Sequence, residues 1–105
     1  MSKSKFSLTA LPTFKRKVGI PVAGSKPVEV EFTFKHKTRD EYKAFIEGIE
    51  GREDVDVILE IASGWDLEEA FDDTSLDALT QNYIGSARAI ITAYINELTD
   101  ARLGN

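Results

Sequence analysis

The stretch PVEVEFTFKHK, residues 27–37, alternates apolar and polar side chains. Val28, Val30, Phe32 and Phe34 fall on one face, and the residues between them are charged or polar. A period of two is typical of a strand that buries one face. The stretch therefore predicts a strand whose apolar face is covered by the rest of the chain.

The preceding segment FKRKVGIPV, residues 14–22, repeats this alternation less regularly and is joined to it by AGSK, residues 23–26. A short connection that contains glycine predicts an antiparallel hairpin over residues 14–37. Pro21 suits an edge strand because it lacks a backbone donor. The expected register places two lysines opposite two glutamates: Lys15 and Lys17 against Glu29 and Glu31. Since two strands alone are marginally stable, helices are expected to cover the hairpin.

Helical patterns begin at residue 38. Thr38 and Glu41 form a capping box that predicts a helix ending at Gly51. Residues 54–63 fit either a helix or a strand, with the acidic start favouring a helix. Gly64 is expected to end that helix, and Asp66 to cap a short helix over residues 67–71.

Two more helices are predicted in the last third of the chain. One follows Thr74, and a longer one with an apolar stripe ends at Gly104. The predicted fold is α+β, with an N-terminal β-hairpin packed on a bundle of four to five α-helices. Its organisation is a flexible basic arm (1–13) and a single domain (14–105), made of the hairpin (14–37) and a helical part (38–104).

Composition and charge limit the classes of partner that the chain is expected to bind. The chain has 105 residues, 42% of them apolar, no cysteine and a net charge of −5. Residues 1–37 carry +6 and residues 38–105 carry −11. The acidic part would repel phosphates, and no apolar run spans a membrane, so neither nucleic acid nor membrane is an expected partner. This uneven charge fits either independent surface charges or a protein partner, including a homo-oligomer, and the lack of cysteine is compatible with the cytoplasm.

Residues capable of catalysis are scarce. His36, the one histidine, ends the predicted second strand, and no GxSxG motif presents a serine. GIPVAGSK, residues 19–26, is similar to a phosphate-binding loop but runs into Pro27 and a strand instead of a helix. The acids do not follow the spacing of a calcium loop. We therefore expect no enzyme activity, cofactor or metal, and a small hydrolase or metal enzyme is the least favoured hypothesis.

The stretch SGWDLEEAFDD, residues 63–73, holds the only tryptophan and five carboxylates after it. Trp65 fits either a core anchor or a partner contact. On the last helix, Ala89 and Ala93 form a line of small residues that either favours helix formation or admits a second helix. The candidate partner-binding residues are Trp65, Phe71, Ala89 and Ala93.

Three segments together resemble one family. They are the opening FSL…PTFKRKVGIPVAGSKPVEVEFTFKHKTRDE, the central GWDL, and the closing YIGSARAIITAYINELTDARLGN. The chain resembles the tail assembly chaperones of tailed bacteriophages and prophages over nearly its whole length. Such proteins have a YPG-type turn where this sequence has Ile84 before Gly85, and a glycine alone can still make that turn.

The resemblance implies a non-enzymatic role in an infected or lysogenic bacterial host. Chaperones of this kind bind the tape measure protein, keep its long helices soluble and recruit the major tail tube protein. They are absent from the finished particle, and in many phages a longer product arises by frameshifting. The alternative is a structural tail component, such as a terminator or adaptor, that stays in the particle.

Overall fold

The computed structural model describes residues 3–99. Three strands and four helices are present in this range, which confirms the predicted α+β class. Their order along the chain is β1 (Thr13–Ile20), β2 (Val28–Lys35), α1 (Arg39–Gly48), α2 (Asp54–Ile61), β3 (Ala62–Trp65), α3 (Asp73–Asn82) and α4 (Ser86–Thr99). The strands form one antiparallel sheet in the order β1-β2-β3.

The predicted hairpin is present, with two differences in detail. Lys17 lies opposite Glu31 as expected, but Lys15 lies opposite Thr33, and Glu29 lies opposite Gly19. The strands also stop earlier than predicted, so residues 21–27 form a longer connection than the four-residue AGSK turn. Prolines at both ends of this connection cannot donate a ladder hydrogen bond, which explains the early stop.

The alternating face of β2 forms the base of the core. Val30, Phe32 and Phe34 are buried together with Val18 and Ile20 of β1. Val28 has the same parity but is exposed, because it lies at the open end of the hairpin beside the connection. The periodicity therefore identified the face correctly and overextended it by one residue.

Helix α1 begins as predicted and ends earlier. Thr38 accepts a hydrogen bond from the backbone N–H of Glu41, and Glu41 accepts one from the backbone N–H of Thr38. The helix ends at Gly48, so the predicted end at Gly51 is wrong. Gly51 has φ +83° in the turn that follows, a conformation that favours glycine.

The ambiguous stretch 54–63 contains both structures. Residues 54–61 form α2, and at Ala62 the backbone turns to an extended conformation and starts β3. Gly64 does not end the helix. It lies inside β3, opposite Thr33 of β2.

The short helix predicted over residues 67–71 is absent from the structure, which has an irregular loop there. Asp66 hydrogen-bonds to β2 instead of capping a helix. The cap that does form is Asp72, which accepts a hydrogen bond from the backbone N–H of Ser75 at 2.8 Å, so α3 starts before Thr74. Glu68 and Glu69 consequently belong to a loop.

Helix α4 closes the core over the hairpin. Tyr94 is fully buried, and its hydroxyl donates a hydrogen bond of 2.9 Å to the carbonyl oxygen of Lys35. Its ring packs against three phenylalanines, with centroid distances of 5.3 to 6.0 Å. We call these residues the Tyr94 cluster: Phe14, Phe34, Phe45 and Tyr94. The predicted end of this helix at Gly104 lies outside the described residues.

Within residues 3–99, none of the helices has the length and apolar character that crossing a bilayer requires.

Candidate functional site

A second aromatic cluster lies at the other edge of the sheet, around the end of β3. The indole of Trp65 packs edge-on against buried Phe32 of β2, with ring centroids 5.9 Å apart. Phe71 folds back from the loop and packs edge-on against the indole at 5.1 Å. We call Phe32, Trp65 and Phe71 the Trp65 cluster. The structure thus brings together two of the four predicted partner-binding residues, Trp65 and Phe71.

Hydrogen bonds hold the loop around the indole. The indole N–H of Trp65 donates to the carbonyl oxygen of Glu69 at 2.8 Å. Before that point, Asp66 continues the sheet: its backbone N–H donates to the carbonyl of Glu31, and its carboxylate accepts from the N–H of Glu31, both at 3.0 Å. Because both ends are fixed, the loop forms a defined wall beside the sheet.

A groove of about 340 Å³ lies between this loop and helix α3. We call it the Trp65 groove. Two of its apolar residues are substantially open to solvent: Leu67 is 38% exposed and Tyr83 is 40% exposed. Most of its lining surface is apolar and comes from Trp65, Leu67, Ala78, Leu79 and Tyr83, and its polar lining residues are Glu69, Thr74, Ser75 and Asn82.

One acid of residues 66–73, Glu69, lines the groove, and the others lie on the adjoining loop and at the start of α3. The ion pairs found within residues 3–99 are Arg16–Glu97, Lys37–Glu60, Arg39–Asp40 and Arg52–Glu60, and none includes an acid of this segment. Glu68, Glu69, Asp72 and Asp73 are all exposed. The groove therefore combines a mainly apolar lining with one carboxylate, and further exposed acids lie on the adjoining loop.

Ala89 and Ala93 lie elsewhere, beside a groove of about 470 Å³ between β1 and α4. Ala93 is buried against the core, and its carbonyl oxygen accepts a hydrogen bond of 3.4 Å from the guanidinium of Arg16. Arg16 also pairs with Glu97 at 3.0 Å. The small residues of α4 thus allow close packing by β1 of the same chain. The four predicted residues are divided between two surfaces.

The shifted pKa values belong to groups outside the Trp65 groove. Hydrogen bonds from Lys37 and Arg52 hold the pKa of Glu60 below its ordinary value. The bond from the backbone of Thr38 lowers the pKa of Glu41, and burial raises the pKa of Tyr94. His36 is half-buried at the end of β2, where its backbone N–H donates to Pro12 at 2.9 Å. Within residues 3–99, no group of three or more acidic or histidine side chains is placed to hold a metal ion.

The family model described as phage tail assembly chaperone matches residues 1–105. The chain belongs to this family. Its role accordingly lies in the assembly of phage tails. Comparisons with curated proteins and with solved structures give no match.

Sequence reasoning did not identify Leu67 and Tyr83 as surface residues. Both belong to apolar patterns assigned to helices, and such patterns predict burial. Their exposure depends on the loop over residues 66–72 and on the end of α3 at Asn82. A leucine among five carboxylates was the available signal, because an apolar residue in so charged a segment has few neighbours that could bury it.

Proposed function

We propose that this chaperone binds the tape measure protein through the Trp65 groove and keeps its apolar helices soluble before the tail tube forms. The observation that carries the proposal is the pair Leu67 and Tyr83, both partly exposed on either side of a mainly apolar groove. Partly exposed apolar residues at a pocket are typical of protein-binding surfaces.

A helix is a suitable occupant of such a groove. An amphipathic helix binds by placing apolar anchors at successive turns into an apolar groove. The floor of the groove comes from α3 and the end of β3, which are regular elements, and the wall is fixed by the bond from Trp65 to Glu69. Phe71 contributes by packing edge-on against the indole.

The exposed acids would keep the loaded complex in solution. Charged residues around an apolar patch limit nonspecific association of the patch. The small size of the groove, about 340 Å³, favours a contact that can be released when the tube protein arrives. We propose the major tail tube protein as a second, later partner. Ala89 and Ala93 stay predicted partner contacts in the groove between β1 and α4.

The proposed activity is binding alone, with no reaction and no cofactor, in the cytoplasm of an infected or lysogenic bacterial host. Family membership supports this, because assembly chaperones act by holding other proteins. The structure adds a surface suited to an apolar client.

Co-expression with the tape measure protein tests the proposal. The double variant Leu67→Ser/Tyr83→Ser is expected to recover at least tenfold less client in a pull-down, because it removes both exposed apolar anchors. Ile46→Ser is the matched control: Ile46 is 37% exposed, close to the 38% of Leu67, but lies on α1. Equal client recovery by the double variant and the wild type would show that the Trp65 groove is not the client-binding site.

Mass spectrometry of purified tails separates a chaperone from a retained structural component. We expect tape measure and tube peptides in the particles and no peptides of this chain. Stoichiometric amounts of the chain in finished tails would instead favour a terminator or adaptor.

A further inference from the structure

Strand β1 is an edge of the sheet, and its outer side has no strand partner within residues 3–99. Directly opposite residues of an antiparallel pair alternate between hydrogen-bonded and non-hydrogen-bonded pairs. The N–H of His36 donates to the carbonyl oxygen of Pro12 at 2.9 Å, and these two residues continue the register of β1 and β2. The residues of β1 that bond to β2 are therefore the even-numbered ones.

The backbone N–H and carbonyl groups of the odd-numbered residues of β1 consequently point away from β2. The far side of β2 agrees with this assignment, because Glu31, opposite Lys17, makes its backbone hydrogen bonds to Asp66. All of the outward residues of β1 are exposed: Thr13, Lys15, Lys17 and Gly19. β1 thus presents a row of backbone donors and acceptors to solvent, which is a template for an added strand.

The two faces of this edge differ in chemistry. On one face lies the groove of about 470 Å³ between β1 and α4, most of whose lining surface is apolar and includes Val18, Ala89 and Ala93. The side chains of Lys15 and Lys17 belong to the other face, because they alternate with buried Val18. An added strand would therefore meet small apolar residues on one face and two ammonium groups on the other.

The charges along this surface are basic. The charged residues that line the groove are Arg16, Lys17 and Arg88. Arg16 is paired with Glu97, but the ion pairs found within residues 3–99 include neither Lys15 nor the other two cations of the groove. Glu31 lies opposite Lys17 on the β2 side only. Cations without an ion pair along an open edge favour a partner that carries carboxylates.

We infer that β1 binds an extended segment of another protein as a fourth strand, and that this segment alternates acidic and apolar side chains. Strand addition uses backbone hydrogen bonds for affinity and alternate side chains for specificity. The carboxylates lie beside Lys15 and Lys17, and the apolar side chains face the groove at Ala89. The same lysines disfavour a second copy of this chain, because pairing β1 with β1 brings like charges together.

NMR titration with a synthetic peptide tests the inference. The probe is a capped peptide of about seven residues, within the usual length of a strand, that alternates glutamate and valine. The backbone amide signals of Lys15, Lys17 and Gly19 are expected to shift, and their hydrogens to become protected from exchange, because these N–H groups gain acceptors. The amide of Val18, which bonds to β2, should be protected in the free chain as well. A peptide that leaves the outward amides unprotected would overturn the inference.

Two methylated versions of the peptide separate strand addition from simple attraction between charges. Directly opposite residues of an antiparallel pair have side chains on the same face, so the glutamates beside the lysines make the backbone hydrogen bonds to β1. Methylating the backbone nitrogens of the glutamates removes these donors and should abolish binding, whereas methylating those of the valines leaves the donors intact. The reverse preference supports a parallel added strand. Equal binding of the two methylated peptides means that charge alone holds the peptide, and the inference is then wrong.

Reversing the charge of the edge should reverse its preference. Lys15→Glu/Lys17→Glu is expected to bind the glutamate peptide about tenfold more weakly and to bind the corresponding lysine–valine peptide instead. Lys26→Glu/Lys43→Glu is the matched control, because it makes the same change of net charge with two exposed lysines outside β1. If both double variants lose the glutamate peptide equally, the net charge and not the edge attracts it, and the inference fails.

The free chain provides a test against a second copy. If the outward amides of β1 are protected from exchange without peptide and lose this protection on dilution, another copy of the chain occupies the edge, which contradicts the inference. Amides that exchange freely at every concentration show that the edge is open.

The inference does not rest on the proposed function, because β1 and β3, beside which the Trp65 groove lies, are opposite edges of the sheet. Leu67→Ser/Tyr83→Ser should bind the glutamate peptide as the wild type does. A wild type that recovers no tape measure protein but binds the peptide would remove the proposed function and leave this inference standing. A wild type that recovers the tape measure protein but not the peptide would remove this inference alone.

Discussion

The two aromatic clusters differ in what covers them. The Tyr94 cluster is enclosed by β1, β2, α1 and α4, and its central ring has no solvent exposure. The Trp65 cluster lies against β2 on one side, but on the other side it has only Phe71 and the loop over residues 66–72. Regular elements enclose the first cluster except for a partly exposed Phe14, and a loop leaves the second cluster partly open.

Within this small core, the Tyr94 cluster contributes mainly to stability, and the Trp65 cluster leaves a surface that a partner can reach. Rings packed between strands and helices contribute area that no partner can reach. A ring held by a loop keeps part of its surroundings accessible, and in this chaperone those surroundings include exposed Leu67 and Tyr83.

The largest effect is expected at Tyr94. Tyr94→Ala removes the ring shared by three phenylalanine contacts and should lower the free energy of unfolding by about 3–5 kcal/mol. Tyr94→Phe keeps the ring and loses only the hydrogen bond to Lys35, at about 1 kcal/mol. Urea unfolding followed by circular dichroism measures both. Similar losses for the two variants would show that the ring packing is not the main contribution.

Phe71→Ala should have a smaller effect on stability and a visible effect on the open cluster. Phe71 is only half-buried, so we expect a loss of about 1–2 kcal/mol. Because Trp65 is the only tryptophan, its fluorescence reports this site directly and should shift to longer wavelength. Ile46→Ala, a truncation of an exposed apolar residue on α1, should leave the emission unchanged. An unshifted spectrum in Phe71→Ala would mean that Phe71 does not shield the indole.

The closed side of the core was largely predictable from the sequence. Alternation in residues 27–37 identified Val30, Phe32 and Phe34 as buried, and the capping box fixed the start of α1. These signals are local, since a strand's period and a helix cap depend on residues that are neighbours in the chain.

The open side was not predictable in the same way. β3 is a four-residue strand whose pairing depends on β2, some thirty residues earlier along the chain. Asp66 has the residue type of a helix cap, and it is the bond to Glu31 across the sheet that decides its role. Local propensity favoured a helix at residues 67–71, and this nonlocal pairing overrode it.

Two glycines differ in how closely other atoms of the chain approach them. A β-carbon added at Gly85 would lie 3.3 Å from Cγ of Pro21, whose ring cannot move aside easily. Gly85→Ala is therefore expected to cost about 1 kcal/mol. Gly64, beside Trp65, has no atom within 4 Å of the added carbon, so Gly64→Ala should stabilise by about 0.4–1 kcal/mol. Thermal unfolding of both variants measures the sign, and a loss at Gly64 would contradict the open packing of that side.

The smallest expected effect is electrostatic. It concerns the ion pair between Lys37 and Glu60, which lies beside Phe45 of the Tyr94 cluster. The ammonium of Lys37 lies 2.8 Å from the carboxylate of Glu60 and 5.4 Å from the ring centre of Phe45. Lys37 and Arg52 lower the pKa of Glu60 in the folded protein. The stabilisation from the Glu60 carboxylate is therefore complete above the pKa of the unfolded chain and is lost as the pH falls through the lower pKa of the folded protein.

The Glu60 side chain is 31% exposed, which limits the expected loss of stability in Glu60→Gln to about 0.5 kcal/mol at neutral pH. Unfolding at neutral and acidic pH measures this loss, which should disappear at acidic pH. If the loss in Glu60→Gln persisted at acidic pH, it would have to come from packing, and the charge pair would not belong to the closure of this cluster.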